Sequence, residues 1–233
     1  MERFEVIQRL LDLFPSPRYL EIGVDQGVTF HQLRAASKAA VDVRFAFDAA
    51  AARQNPANAH CSYFEMTSDH YFTVDQGRVA QFDVVFIDGL HTFDQTLRDL
   101  LHASYVLAPD GILIVDDVMP STYAASMPDL ALSREFWKAT SNPDGSWMGD
   151  VYRLVFFIAD YLTSFSYATV VENHGQTIMW RAPRMASGVA RKVETIARLE
   201  YVDAVMGAGS FNLQPFAAIE AVLKDRRADG PRA

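Results

Sequence analysis

The sequence is short of cysteine, of long apolar runs and of basic charge, and each shortage excludes a class of protein. Cys61 is the single cysteine among 233 residues, which excludes an internal disulfide and a cysteine-based zinc site. No apolar run approaches the roughly 18 residues that span a bilayer. The N-terminal stretch MERFEVIQRLLDLF carries acids among its apolar residues, so it predicts an amphipathic helix rather than a signal peptide. We therefore expect a cytoplasmic protein with no membrane partner.

The charge balance is acidic, with a formal net charge of −8 at pH 7. Nucleic acid and anionic membrane surfaces attract proteins through basic patches, so this balance argues against both as partners. The remaining partners are a small molecule or another protein.

Apolar runs of strand length alternate with helical patterns through most of the chain. The first five runs are RYLEIGV, VDVRFAFDA, AHCSYFEM, FDVVFIDG and GILIVDDV. They are nearly continuous, which is typical of a parallel sheet covered by helices on both faces. SYATVVE and QTIMWR follow around a tight turn, so this last pair must be antiparallel. The pattern predicts an α/β fold with a doubly wound, mostly parallel, seven-stranded Rossmann-like sheet that ends in an antiparallel hairpin.

Helical patterns surround this sheet. One begins at Phe93, where Thr92 and Gln95 have the spacing of a capping box. The pattern of the long segment Met119–Leu162 predicts two helices above the strand ends. We expect a domain over residues 1–183 and a helical C-terminal extension over 184–233, whose helices could pair with another subunit in a homo-oligomer.

The glycine-containing stretch EIGVDQG joins the first strand to a helix. Gly23 and Gly27 flank this turn, where glycine lets a ligand approach the backbone and the helix N-terminus offers free N–H groups. The spacing is not the GxGxxG of dinucleotide sites. A plain strand–helix turn would have the same pattern.

Two further stretches follow the next two predicted strands. Asp48 ends the second predicted strand, about 20–25 residues beyond the glycine turn, where an acid can accept both hydroxyls of a ribose. The alternative is a helix cap or a turn residue. Met66, Thr67 and Ser68 could line an adenine pocket, and the same residues could cap the next helix.

Acidic residues end the fourth and fifth predicted strands. Asp88 ends the fourth strand, and Asp116 with Asp117 ends the fifth. Neighbouring strands lie roughly 4.8 Å apart, so these carboxylates would repel each other unless a positive charge lies between them. Mg²⁺ prefers such oxygen ligands, although the acids could also cap helices or contact a ligand without metal. His91 lies at the same edge, where it could accept a proton or only position a substrate.

Taken together, these residues resemble the class I S-adenosylmethionine-dependent methyltransferases. EIGVDQG is similar to their first motif, Asp48 matches the ribose-binding acid, and FDVVFIDG is similar to the fourth motif. FIDGLHTFDQTLRDL, GILIVDDVMPS and WMGDVY resemble a narrower group of small-molecule O-methyltransferases related to the macrocin and other antibiotic-sugar enzymes.

The resemblance implies an enzyme that transfers a methyl group from S-adenosylmethionine to a hydroxyl of a small molecule. The cofactor-binding residues it implies are Glu21, Gly23, Val24, Gly27, Asp48, Met66, Thr67, Ser68 and Asp88. It further implies Mg²⁺ bound by Asp88, Asp116 and Asp117, with His91 as the general base and Asp88 beside it in catalysis.

Two other functions stay open at this stage. An NAD-dependent oxidoreductase is disfavoured by the missing GxGxxG and by the antiparallel hairpin. A cofactor-binding module without catalysis would need no acidic cluster.

Overall fold

The computed structural model describes residues 1–74, 80–141, 144–185 and 188–228. Its strands are β1 (Arg18–Ile22), β2 (Ser37–Asp42), β3 (Cys61–Glu65), β4 (Phe82–Ile87), β5 (Leu107–Val115), β6 (Phe165–Val170), β7 (Thr177–Arg181) and β8 (Leu213–Gln214). Its α-helices are α1 (Arg3–Leu11), α2 (Val28–Gln32), α3 (Ala49–Gln54), α4 (Ser68–Tyr71), α5 (Phe93–Val106), α6 (Leu130–Thr140), α7 (Arg153–Tyr161), α8 (Val193–Ile196), α9 (Tyr201–Met206) and α10 (Phe216–Ala228).

The strands form one sheet in the order β3-β2-β1-β4-β5-β7-β6-β8. The first five strands are parallel, and β7 runs antiparallel to both β5 and β6. The predicted α/β class, the parallel core and the terminal antiparallel hairpin are therefore confirmed. An eighth strand, β8, adds to the edge beside β6, and its two residues are too short to give a sequence signal.

The second strand lies earlier in the chain than its apolar run suggested. β2 ends at Asp42, and the following Val43 is 67% exposed. The Asp42 carboxylate accepts hydrogen bonds from the backbone N–H groups of Val24 and Asp25, at 2.7 and 2.9 Å. These bonds tie the end of β2 to the turn after β1, and the chain leaves the sheet there.

The N-terminal helix α1 is amphipathic, as its pattern predicts. Its Val6, Ile7, Leu10 and Leu11 side chains are buried in the core on one face of the sheet. Burial of that apolar stripe fixes the helix against the sheet, because each such side chain contributes roughly 1.5–3 kcal/mol. The docking brings Arg3, at the first turn, to the carboxyl edge of the sheet.

The segment between β5 and β6 contains the two predicted helices, α6 and α7. In the C-terminal region, α10 packs Phe216, Ile219 and Leu223 into the same core as α1. No helix in the described ranges is both long enough and apolar enough to cross a membrane. The domain boundary at 183, the homo-oligomer and the cytoplasmic location stay predictions.

Candidate active site

A cavity of about 830 Å³ opens at the carboxyl ends of the parallel strands. This is the edge where ligands bind in doubly wound sheets. Predicted site residues that line it are Glu21, Gly23, Val24, Met66, Thr67, Ser68, Asp88, His91 and Asp117. Three predicted residues are not part of its lining: Asp116 is buried, Gly27 caps α2, and Asp48 caps α3.

The ends of β1 and β4 approach each other closely at Gly23. Its φ angle is +82°, and an added Cβ would lie 2.0 Å from the carbonyl oxygen of Asp88. Only glycine fits a left-handed conformation with no space for a side chain. The close approach places the turn after β1 directly beside Asp88.

The prediction that Asp48 ends the second strand is wrong. Asp48 is the N-cap of α3, where its Oδ1 accepts from the Ala51 N–H at 2.9 Å. The acid that ends β2 and lines the cavity is Asp42. The apolar residues of VDVRFAFDA continue past Asp42, because Phe45 is buried although the chain has already left the sheet. The end of β2 was therefore predicted too late in the sequence.

The three predicted metal-binding carboxylates meet at the ends of β4 and β5. Backbone hydrogen bonds continue the ladder past the strands, from Asp88 N to Ile22 O at 2.8 Å and from Asp116 N to Ile87 O at 3.0 Å. Asp117 then adopts a left-handed φ of +58°, a conformation that aspartate tolerates better than most residues. This turn lets Asp116 and Asp117 both reach the cluster, although they are adjacent in sequence.

A guanidinium from α1 lies among these carboxylates. Arg3 Nη1 is 2.5 Å from Asp88 Oδ2, its Nε is 2.9 Å from Asp116 Oδ2, and its Nη2 is 4.0 Å from Asp117 Oδ1. The contact with Asp116 is an ion pair without hydrogen-bond geometry, and Oδ2 has no hydrogen-bond donor in the described part of the chain. The positive charge that the acidic cluster requires is therefore supplied by the chain itself.

His91 faces the other side of the same carboxylates. Its Nε2 lies 3.3 Å from Asp88 Oδ1 and 3.4 Å from Asp117 Oδ2. Its Nδ1 donates to the Trp147 carbonyl at 3.1 Å, and the Trp147 indole stacks on the ring at a centroid distance of 4.9 Å. The imidazole is thus held at both nitrogens and on one face.

The pKa values of this cluster follow from burial and from neighbouring charges. Burial alone would lower the pKa of His91, but its hydrogen bond with Asp88 and the charge of Asp117 raise it to about 9. Burial and the Asp88 charge raise the pKa of Asp117 to about 6. Burial, followed by the charges of Asp88 and Asp117, raises the pKa of Asp116 strongly. The site therefore attracts cations.

Glu21 is a further buried acid at this end of the sheet. Its Oε2 accepts a hydrogen bond from the Tyr19 hydroxyl at 2.6 Å, and the side chain is almost completely buried. Burial raises the pKa of Glu21 to about 8 although the hydrogen bond from Tyr19 lowers it. A carboxyl group that keeps its proton at neutral pH can donate a hydrogen bond to a ligand.

Several residues of the cavity were missed by sequence analysis. Arg3, Asp42, Asp99 and His174 all line it. Asp99 is buried on α5, where its Oδ1 accepts from the Gln95 amide at 3.0 Å. Arg3 and Asp99 belong to helices whose sequence patterns indicated only an amphipathic face. No local sequence signal therefore identified them as site residues. Asp42 could have been found by ending the second strand at its first acid.

The donor set fits a small divalent cation. Ligand atoms from Asp88, His91 and Asp117 lie within 4.8 Å of one another. The buried Asp116 Oδ2 that lacks a hydrogen-bond donor among the described residues faces the same cluster. Carboxylate oxygens are the preferred ligands of Mg²⁺, and an imidazole nitrogen can complete a site for several divalent metals.

Comparisons with known proteins agree with this geometry. Residues 20–118 match a family model described as a methyltransferase domain. This range contains the turn after β1 and every acid of the cluster, and it excludes Arg3 and Trp147. No curated protein sequence matches the chain.

Solved structures share the fold at low sequence identity. A protein assigned as a caffeoyl-CoA O-methyltransferase from Staphylococcus aureus is 14% identical, with a TM-score of 0.57 over 78% of this chain and 85% of that one. An O-methyltransferase family protein from Burkholderia thailandensis is 14% identical, with a TM-score of 0.53 over 79% of this chain and 56% of that one. Cofactor-bound Rv0187 from MTB is 14% identical, with a TM-score of 0.51 over 79% of this chain and 82% of that one. The family match makes residues 20–118 a methyltransferase domain, and the sheet order and the shared fold are consistent with the class I S-adenosylmethionine-dependent methyltransferases.

Proposed function

We propose that this methyltransferase methylates a hydroxyl oxygen of a small molecule with the help of a divalent cation such as Mg²⁺. The observation that carries the proposal is the meeting of Asp88, Asp117 and His91 at one end of the cavity, with ligand atoms within 4.8 Å of one another. A hydroxyl needs both an acid that stabilises its oxyanion and a base that removes its proton. An amine acceptor would need neither a metal nor an anion-stabilising group, so the cluster favours oxygen.

The cofactor would lie along the turn after β1. S-adenosylmethionine supplies a methyl group already activated by its sulfonium, so positioning of the partners is the main task of the protein. Gly23 permits close approach of the backbone, and Glu21 and Val24 line the same wall. Asp42 replaces Asp48 as our candidate for the ribose hydroxyls, because a carboxylate can accept further hydrogen bonds beyond those from the Val24, Asp25 and Arg44 N–H groups.

The far end of the cofactor cleft suits an adenine. Met66, Thr67 and Ser68 line the cavity after β3, with Gln95 and Asp99 beside them. The Gln95 amide donates to Ser68 Oγ at 3.2 Å and to Asp99 Oδ1 at 3.0 Å, so the polar groups at this end are held in place. This supports the adenine role predicted for the loop after β3.

At the reacting end, Asp88, Asp117 and Asp116 would hold the cation, with His91 at its side. A divalent cation there would polarise the acceptor hydroxyl as a Lewis acid and would oppose positive charge on His91, which favours the proton-accepting form of the ring. The Nδ1–H bond to the Trp147 carbonyl leaves Nε2, which faces Asp88 and Asp117, as the nitrogen that would accept a proton. His91 is therefore our candidate for the general base, oriented by the Trp147 carbonyl and indole, and in that role its Nε2 is not a ligand of the cation.

The acceptor side of the cavity is bordered by Ser146, Trp147, Met148 and His174. Trp147 is fixed by the hydrogen bond from its indole N–H to the Met127 carbonyl at 2.7 Å. A rigid aromatic wall next to polar groups suits a small organic acceptor. The net charge of −8 disfavours nucleic acid as the substrate.

The test measures binding and transfer separately. Isothermal titration should give a complex with S-adenosylhomocysteine and none with NAD⁺. Radiolabelled S-adenosylmethionine is then supplied with a panel of sugars, phenols and polyketides, each paired with its amine and its deoxy analogue. We expect label in hydroxyl compounds alone, loss of transfer in EDTA with cofactor binding retained, and recovery with Mg²⁺.

Each part of the proposal can fail on its own. Transfer to the amine analogues would refute the oxygen acceptor. Full activity in EDTA, with metal content below one tenth of the protein concentration, would refute the role of the cation and leave methyl transfer standing.

A further inference from the structure

Arg3 occupies the centre of the acidic cluster that the proposed cation would need. Its three guanidinium nitrogens contact one carboxylate each, at distances of 2.5, 2.9 and 4.0 Å to Asp88, Asp116 and Asp117. Burial alone would lower the pKa of Arg3, but the charges of Asp116, Asp88 and Asp117 raise it. The guanidinium is thus a permanent positive charge within the cluster.

The same carboxylates serve both cations. Asp88 and Asp117 each direct one oxygen toward Arg3 and the other toward His91. Asp116 has its Oδ2 toward Arg3 and uses its Oδ1 to accept from the Asp117 N–H at 2.9 Å. A divalent cation bound by all three acids would therefore have to share oxygens that Arg3 already contacts. A like charge a few ångströms away would also weaken its binding.

Arg3 can withdraw without the loss of α1. The helix is held by its apolar stripe, which begins at Val6, and Arg3 lies in the turn before that stripe. The Arg3 side chain is 35% exposed and borders the open cavity, so a change of rotamer would move the guanidinium into solvent. The apolar residues that hold α1 against the sheet and the Arg3 side chain that would withdraw are therefore separate parts of the same helix.

We propose that Arg3 is a built-in competitor for the divalent cation, so that Arg3 docking and metal binding at Asp88, Asp116 and Asp117 oppose each other. Arg3 holds the carboxylates together in the metal-free chain, and the arriving cation displaces it. This inference rests on the metal site of the proposed function. By linkage, the metal weakens the Arg3 contacts by the same factor by which Arg3 weakens metal binding.

The test compares Mn²⁺ binding to the full chain and to two charge-matched variants. Arg3→Gln removes the guanidinium from the cluster, and Arg9→Gln removes one from the same helix where it pairs with Glu220, away from the cavity. Free Mn²⁺ is measured by electron paramagnetic resonance in a titration. We expect Arg3→Gln to bind Mn²⁺ at least about tenfold more tightly than the wild type. A nearby charge shifts the pKa of a carboxylate by about one unit or more, and an effect of that size on cation binding is about tenfold. Arg9→Gln should match the wild type.

A second measurement follows Arg3 itself. In protein labelled with ¹⁵N-arginine, the Nε–H resonance absent from Arg3→Gln is assigned to Arg3. Addition of diamagnetic Mg²⁺ should move that resonance toward the position of a free arginine, and the Arg9 resonance should stay in place. Circular dichroism and binding of S-adenosylhomocysteine check that both variants fold.

The outcomes separate this inference from the proposed function. If the wild type and Arg3→Gln bind Mn²⁺ equally, or Arg3→Gln binds it more weakly, the competition is refuted and the metal site stands. If neither protein binds Mn²⁺ at millimolar concentration, the competition and the metal site are both refuted, and methyl transfer is judged by its own assay. Loss of the gained affinity in Arg3→Gln/Asp116→Asn would locate the cation at the cluster.

Discussion

At the scale of single residues, His91 owes its orientation to groups far away in sequence. The Trp147 carbonyl and indole hold one nitrogen and one ring face, and Asp117 approaches the other nitrogen. A Cβ on Gly149, with its φ of +63°, would lie 1.7 Å from the His91 carbonyl oxygen, so only glycine lets this loop approach so closely. These contacts fix a single side chain where chemistry requires precise geometry.

Replacement of this imidazole tests whether it acts as the base. We expect His91→Ala to lower kcat by about 100-fold or more, because a positioned general base typically contributes that much. Binding of S-adenosylhomocysteine should stay within a factor of three or so, since the ring lies at the acceptor end. Steady-state kinetics and calorimetry give the two numbers. His70→Ala, on the exposed face of α4, is the control. A change in KM with kcat unaltered would reduce His91 to a residue that positions the substrate.

At the scale of elements, α5 begins with a cap from another part of the chain. Thr92 is the N-cap residue, but within the described residues its hydroxyl makes no hydrogen bond to the helix. The Gln95 side chain contacts Ser68 and Asp99, so the capping box suggested by the spacing does not form. Asp150 instead accepts from the Phe93 N–H at 2.6 Å. The cap therefore joins the helix after Asp88 to the loop that holds His91.

Loss of this cap should affect stability and activity together. We expect Asp150→Ala to lower the free energy of unfolding by about 2–4 kcal/mol, because it removes a cap and leaves Arg153 without its buried partner. Urea denaturation measures the loss. Asp129→Ala removes the N-cap bond of the exposed helix α6 and should cost about 1 kcal/mol with kcat unchanged. Equal effects of both substitutions on kcat would contradict a link between the Asp150 cap and His91.

At the scale of the whole molecule, several buried acids with raised pKa values lie at the carboxyl edge of the sheet. Glu21, Asp116 and Asp117 all keep protons in the folded state at pH values where an unfolded chain would release them. The folded state then binds more protons than the unfolded state, and stability falls as the pH rises. The net charge of −8 acts in the same direction through self-repulsion.

Replacement of Glu21 tests the contribution of its buried proton to stability, apart from the contribution of the net charge. Below its ordinary pKa of 4.5 the stabilising contribution is fully present, and it is lost as the pH rises toward the folded value of about 8. Between these values the free energy of unfolding should fall by up to about 1.4 kcal/mol per pH unit from this group. Glu21→Gln should therefore gain on the wild type from pH 5 to pH 8 in urea denaturation with EDTA. Glu135→Gln, an exposed site, should run parallel to the wild type, and parallel curves for Glu21→Gln would contradict the raised pKa.

The parts of the fold that follow local patterns were predictable. Continuous apolar runs identified the parallel strands, and the tight turn between the last two runs identified the antiparallel hairpin, because both depend on neighbouring residues. The meeting of Asp88 with Asp116 and Asp117 was also predictable, since adjacent parallel strands end at one edge. The second strand was misplaced because a buried aromatic residue, Phe45, lies outside the sheet.

The sequence by itself determined the α/β class, the family resemblance and the acids that meet at the sheet edge, since these depend on periodicity and on strand order. Only the tertiary structure decided what neutralises and orients those acids. Arg3 and Trp147 reach the cluster from 85 residues before Asp88 and from 56 residues after His91. Their docking depends on how α1 and the loop after α6 pack, and no local pattern encodes such packing, because it is the sum of many weak contacts between distant segments.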